Sequence, residues 1–353
     1  MFLAYKEIKH EKLRYSLIIL MIFLISYLIF ILSSLAVGLA QENTQAVESW
    51  KTQKVVLNKN SNVSMAQSIL TKDDIKDAKI GKKEAYVGQV PIVVKSKNRH
   101  SVSAQFLGIK KSQFIYQNLK IIKGHKATKA NEVTADIGFN AKGYKLGDII
   151  KFGNTQKKYK IVGFAKNAKI NIAPAIYGNL KTWKDLHQGT TNLATSGIIS
   201  QDPHYEYNHK NAKTYNVKVF INKLPGYSAQ NITFEMMIAF LFIISLIIIA
   251  VFLYILTIQK KQTFAVMRAQ GIPAKTLVIA VISQSIILVI TGIIIGLLAM
   301  WGTALIMPAT VPMSFAPILF IASSLGMLLM GIIGSLIPIR TILKVDPAKA
   351  IEV

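Results

Sequence analysis

Four stretches of this sequence carry almost no charge and are long enough to cross a lipid bilayer: Leu17–Ala40, Phe234–Ile258, Leu277–Met307 and Phe315–Ile339. A helix needs roughly 20 apolar residues to span about 30 Å of hydrocarbon. A chain with four such runs has few options other than a helical membrane protein, because each run must satisfy its own backbone hydrogen bonds in lipid. The first run begins near the N-terminus behind a basic segment, as a secretory signal does, but its 24 residues exceed a signal core and fit an uncleaved span.

The basic residues near the run ends give an orientation. Lys6, Lys9, Lys12 and Arg14 precede the first run, Lys260, Lys261, Arg268 and Lys275 lie between the second and third, and Arg340, Lys344 and Lys349 follow the fourth. The short turn with Pro308, Pro312 and Pro317 has none. Both termini are therefore expected in the cytoplasm of a plasma-membrane protein, with the segment between the first two runs outside. The implied division is an amphipathic N-terminal helix (1–16), first span (17–40), extracytoplasmic domain (41–231), second span (232–258), cytoplasmic loop (259–276), third span (277–307), fourth span (315–339) and cytoplasmic tail (340–353).

The large insertion holds 31 Lys/Arg against 12 Asp/Glu, and the whole chain is formally +25. The lysines are scattered singly, without an aromatic-interleaved basic motif, so they read as a solvated surface and not a nucleic-acid face. With no cysteine anywhere, the insertion holds no disulfide or thiolate metal site. Val87–Val94, His100–Gly108, Asp148–Phe152 and Lys157–Val162 are rich in β-branched residues and read as strands, whereas Val63–Asp77 and Leu180–Leu186 read as helices. The expected fold class is an α-helical membrane protein with four spans and an α+β domain inserted between the first and second.

No G-x-x-x-x-G-K-[ST] phosphate loop, H-E-x-x-H or G-x-S-x-G occurs, so neither an ATPase site nor a familiar hydrolytic site belongs to this chain. His204 and His209 share a polar aromatic loop that reads as solvated rather than metal-binding. No run carries the interior acid or base of a proton-coupled carrier. Any transport must draw its energy from a partner.

The loop Lys260-Lys261-Gln-Thr-Phe-Ala-Val-Met-Arg-Ala-Gln-Gly271-Ile-Pro-Ala-Lys resembles the loop of FtsX/MacB-type ABC permeases, roughly R-x-x-E-[FI]-[AG]-[VI]-[LM]-[RK]-A-[LI]-G. Two further segments are similar to that family: Gly143-Tyr-Lys-Leu-Gly147-Asp148 followed by Tyr159-Lys-Ile-Val-Gly163, and the closing Arg340, Lys344, Asp346-Pro347 and Ala350-Ile. Thr263 and Gln270 depart from the general loop pattern; the Arg-Ala-Gln-Gly-Ile version, with Gly38-Leu-Ala-Gln-Glu42-Asn, is similar to the haem-export permeases of Gram-positive bacteria (the HrtB group).

That resemblance implies a transport subunit, not an enzyme. It would act as a dimer with a second permease copy, in the membrane, with two copies of a cytoplasmic ABC ATPase that bind ATP and Mg. Haem would be the exported substrate and no cofactor would be intrinsic. The loop would dock on the ATPase, with Phe264, Val266 and Met267 as an apolar knob, Arg268 as a charge and Gly271 ending the helix. Glu42 would be a candidate axial ligand to haem iron, with Trp50, Tyr177 and Tyr227 as candidate aromatic walls and Met236 as a side chain that packs on haem or ligates it. The same architecture also serves exporters of antimicrobial peptides, macrolides or lipid-like amphiphiles, and non-transporting FtsX-like permeases that activate a wall hydrolase.

Overall fold

In the computed structural model, residues 11–97, 99–153, 155–187, 192–308 and 311–343 are described. Residues 1–10 and 344–353, which include most of the expected N-terminal amphipathic helix and most of the tail, lie outside them. Backbone contacts separate a helical unit (Met1–Gly38 and Ile232–Val353) from an inserted unit (Leu39–Asn231).

Among the described residues four helices are long and apolar enough to cross a membrane: Lys12–Ser49, Tyr227–Gln259, Ala274–Ile306 and the helix that starts at Pro317 and ends at Leu343. The first runs nine residues past the apolar stretch ending at Ala40. Thr44 Oγ1 donates to Ala40 O at 3.1 Å and Asn43 Nδ2 to Leu39 O at 3.0 Å, so these polar side chains bond back along the helix. Hydropathy marks where lipid would be, not where the helix stops.

Within the helical unit, close approach depends on small residues, as in lipid-embedded bundles. Gly292 and Gly296 sit one turn apart on the third long helix. A Cβ at Gly292 would fall 2.5 Å from Ile22 Cγ2, and one at Gly296 would fall 2.4 Å from Ser26 Oγ. Ser26 Oγ also donates to Gly292 O at 3.2 Å.

Among the described residues the inserted unit contains thirteen strands: β1 (Lys54–Asn58), β2 (Leu70–Thr71), β3 (Glu84–Ser96), β4 (Val102–Ile109), β5 (Ile121–Gly124), β6 (Glu132–Asp136), β7 (Ile149–Phe152), β8 (Tyr159–Ala165), β9 (Lys169–Ile170), β10 (Ala173–Asn179), β11 (Leu193–Thr195), β12 (Gly197–Ser200) and β13 (Ala212–Asn216). The main hydrogen-bonded order is β13-β1-β12-β3-β4-β10-β6-β8-β5, with β7 bridging β3 and β8. Following β3-β4-β10-β6-β8-β7 and back to β3 closes a ring of six strands, with the β4–β10 and β6–β8 pairs parallel.

Alternation along the strands splits their side chains between two cores. Val94, Phe106, Ile176, Val133, Ile161 and Phe152, one from each ring strand, share one cluster. Leu107 and Tyr177, neighbours in sequence of Phe106 and Ile176, point into the other, where Val47 and Trp50 pack. The short helix Leu180–Leu186 is capped by the Asn179 side chain, which accepts from Lys181 N–H, and buries Trp183.

The expected helix over Val63–Asp77 is not formed; the segment is a run of turns with β2 inside it. Ser68 Oγ accepts from Asn58 N–H and donates to Ser196 O, and the Asp74 carboxylate accepts from Thr71 N–H and Oγ1–H. Serine, threonine and aspartate hydroxyls and carboxylates compete in this way with helical backbone bonds.

Candidate functional sites

The first site is the short helix Lys261–Ala269 and the turn that joins it to the third long helix. Its closing turn follows the sequence chemistry: Gly271 sits at φ +87, its N–H donates to Arg268 O at 3.0 Å, and Ile272 N–H donates to Met267 O at 3.1 Å. This is the paired 5→2 and 6→1 bonding that stops a helix, and the left-handed residue it needs is cheapest as glycine.

The side chains of this helix divide sharply. Phe264 is only 4% exposed, in a small cluster with Leu277 and Val281, and Met267 and Ile272 pack against it. Val266 is 51% exposed. The three-residue apolar knob expected from the sequence is thus mostly turned inward onto its own chain. What remains on the surface is Val266, with Arg268 partly exposed beside it. At the other end Lys260 Nζ donates to Tyr15 Oη at 3.1 Å, and the same buried hydroxyl meets Gln284.

The second site lies in the inserted unit around Glu42. Its carboxylate is ion-paired with Lys169, and both side chains are largely covered, 13% and 21% exposed. Asp136 belongs to the same group of charges: it is buried, accepts Gly138 N–H at 2.8 Å and feels both Lys169 and Glu42. Burial pushes its carboxyl above the ordinary value of 3.8; the Gly138 N–H, the Lys169 cation and the Ala168 N–H pull it back, and Glu42 adds to the rise. Sequence reading missed Lys169 and Asp136 because their approach to Glu42 depends on strand pairing over more than 90 residues.

The expected aromatic wall is differently placed. Trp50 and Tyr177 are 2% and 1% exposed and belong to the core behind the ring, with Tyr227 packed against them. Tyr177 therefore offers no open face for a flat molecule to stack on, and Trp50 shows only a sliver of its surface. Burial raises the Tyr177 phenol and the Trp50 indole opposes that rise; among the described residues neither the indole Nε1 nor the phenol oxygen reaches hydrogen-bond geometry with a partner. Met236, on the second long helix, is 54% exposed. Among the described residues no three His, Asp or Glu side chains gather as metal ligands.

Residues 235–347 match the FtsX-like permease C-terminal family. Over 99% of its length the chain is 27% identical to a permease of Staphylococcus haemolyticus named for a hemin transport system, HrtB, covering 98% of that protein. A Staphylococcus epidermidis protein of the same name matches equally, 27% over 99% of this chain and 98% of its own. An uncharacterized ABC transporter permease of Mycobacterium tuberculosis is 21% identical over 65% of this chain and 64% of its own. Among solved structures, the periplasmic region of MacB from Actinobacillus actinomycetemcomitans covers 47% of this chain and 89% of its own, at 14% identity and TM-score 0.36. The extracellular domain of the Gram-positive ABC-type transporter YknZ covers 42% and 82%, at 15% and 0.32.

Proposed function

We propose that this chain, whose C-terminal part is an FtsX-like permease domain, is the permease subunit of an ABC-type efflux pump that exports haem from the membrane. The observation that carries this reading is the full-length similarity, 27% over 99% of the chain, to permeases named for hemin transport. In this reading both termini are cytoplasmic, the inserted domain is extracellular, and the active form pairs two permease copies with two ATPase subunits.

The short helix Lys261–Ala269 is the part that meets the ATPase. Phe264 and the Gly271 turn fix its position, and Val266 and Arg268 supply the contact surface. ATP hydrolysis below would then move the inserted domains, which expel the substrate from the outer leaflet. Glu42 remains the candidate axial ligand, an oxygen donor for ferric haem. Its carboxylate is held by Lys169, so ligation requires Glu42 to exchange that cation for iron.

The test is haem efflux from vesicles holding the permease with its ATPase. ATP-dependent loss of membrane haem, absent when either subunit is omitted, is the expected result. ATP turnover that ignores haem but responds to a peptide, macrolide or lipid would reassign the substrate. No ATP turnover beyond that of the free ATPase would overturn the permease assignment itself.

A further inference from the structure

Away from Glu42, the inserted unit has a cavity of about 390 Å³ between the end of the first long helix, the residues leading into β5, and the β8–β9 turn. That volume lies within the range of small-molecule sites, about 300–1,000 Å³. Its apolar lining comes from Trp50, Ile115 and Leu119, the first two buried and the third partly so. Its remaining lining includes Lys51, Lys120 and Lys166, all exposed, and one acid, Glu48. Three cations and one anion leave the opening at +2. Among the described residues none of the three lysines forms an ion pair.

Two features show that the backbone carrying these lysines is fixed by the fold. Lys166 N–H donates to Lys120 O at 3.0 Å, which ties the two strand ends carrying them. Lys51 and Asn167, both lining the cavity, have left-handed backbones at φ 55 and φ 54. Lys51 follows the helix end, where Lys51 N–H donates to Glu48 O and Thr52 N–H to Val47 O. Glycine is the unstrained residue for that position. A lysine there keeps a cation at the cavity at a conformational cost, and such local strain concentrates at functional sites.

We infer that this cavity binds the anionic edge of a flat apolar molecule, with Leu119 and the small uncovered parts of Trp50 and Ile115 meeting the apolar part at its edge and Lys51, Lys120 and Lys166 meeting its carboxylates. The identity of the ligand rests on the haem reading: the cavity would take the propionate edge of the porphyrin, with no part for the iron. It is distinct from the Glu42–Lys169 pair and shares no residue with it.

The test uses the full chain in zwitterionic nanodiscs and iron-free protoporphyrin IX, followed by fluorescence, with its dimethyl ester as the uncharged control. Lys120→Gln with Lys166→Gln should weaken binding of the diacid by about tenfold, the scale of losing a charge-assisted contact, and leave ester binding unchanged. Lys51→Gly should weaken diacid binding while raising thermal stability, because it removes both the charge and the left-handed strain. A merely structural lysine would not separate these two readouts. Lys142→Gln with Lys145→Gln, exposed lysines elsewhere in the unit, should match the parent. Unchanged diacid binding in the Lys51 and Lys120/Lys166 variants would overturn the cavity assignment while leaving haem export standing. If the parent binds neither haem nor protoporphyrin, both readings fall together.

Discussion

Phe264 is buried against Leu277, so the short helix after the second span is clamped to the first turn of the third. A push on the short helix therefore reaches the third span through packed side chains and not through a slack loop.

This relationship separates two substitutions that the sequence treats alike. Val266→Asp should leave thermal stability within about 0.5 kcal/mol, since the side chain is half exposed. It should lower ATP-driven export at least tenfold, because an unpaired carboxylate would be buried on docking. Phe264→Ala should instead destabilise the helical unit by about 3–5 kcal/mol, the usual loss for a buried phenylalanine. Thermal unfolding beside export rates decides the matter: full export by Val266→Asp would place the ATPase contact elsewhere.

Lys169→Met and Glu42→Gln should have unlike effects on haem. Each breaks a largely covered ion pair, and each should cost about 1–3 kcal/mol in the inserted domain. Lys169→Met frees the Glu42 carboxylate and should tighten haem binding; Glu42→Gln removes the oxygen anion and should shift the Soret band. Identical spectra for both variants and the parent would remove Glu42 from the iron.

How stability varies with acidity should reveal Asp136. Its folded value is raised above 3.8, so the folded state holds its proton more tightly than the unfolded chain. The sign follows from linkage: stability falls as pH rises from about 3.8 through the raised folded value and is flat above it. Asp136→Asn should flatten that segment of a plot of melting temperature against pH. A slope that survives the substitution would assign it to another carboxylate.

Gly296→Leu should prevent close packing of the first and third spans. Even a single added carbon would lie 2.4 Å from Ser26 Oγ, and the isobutyl group has nowhere to go. The expected outcome is loss of the folded protein from membranes, measured by detergent-resistant yield. Gly302→Leu, at a helical position with open space around it, should retain yield. Equal yields would show that the helices can separate at no cost.

The four spans were legible because apolar length alone identifies them, and α+β chemistry was legible in strands such as Val102–Ile109. The turn at Gly271 could be read because glycine adopts its left-handed backbone at least cost. The inward turn of Phe264 could not: at helical spacing, Phe264, Val266 and Met267 look like one surface until the following helix supplies Leu277. Trp50 and Tyr177 read as candidate haem walls through the resemblance alone; the burial of Tyr177 follows from β10 lying beside β4 across some 70 residues. The Glu42–Lys169 contact likewise has no local signal, since lysines occur throughout the insertion.

The strand ring sets an order of events during synthesis. β3 must meet β7 at one seam, and β4 must wait for β10, whose last residue is Asn179. No circular enclosure exists until that residue has left the ribosome, by which time the first span is long finished. About 95 residues, from Glu84 to Asn179, therefore await closure of the ring together. A lysine-rich composition suits that interval, since mutual repulsion among nascent segments discourages them from pairing with other chains.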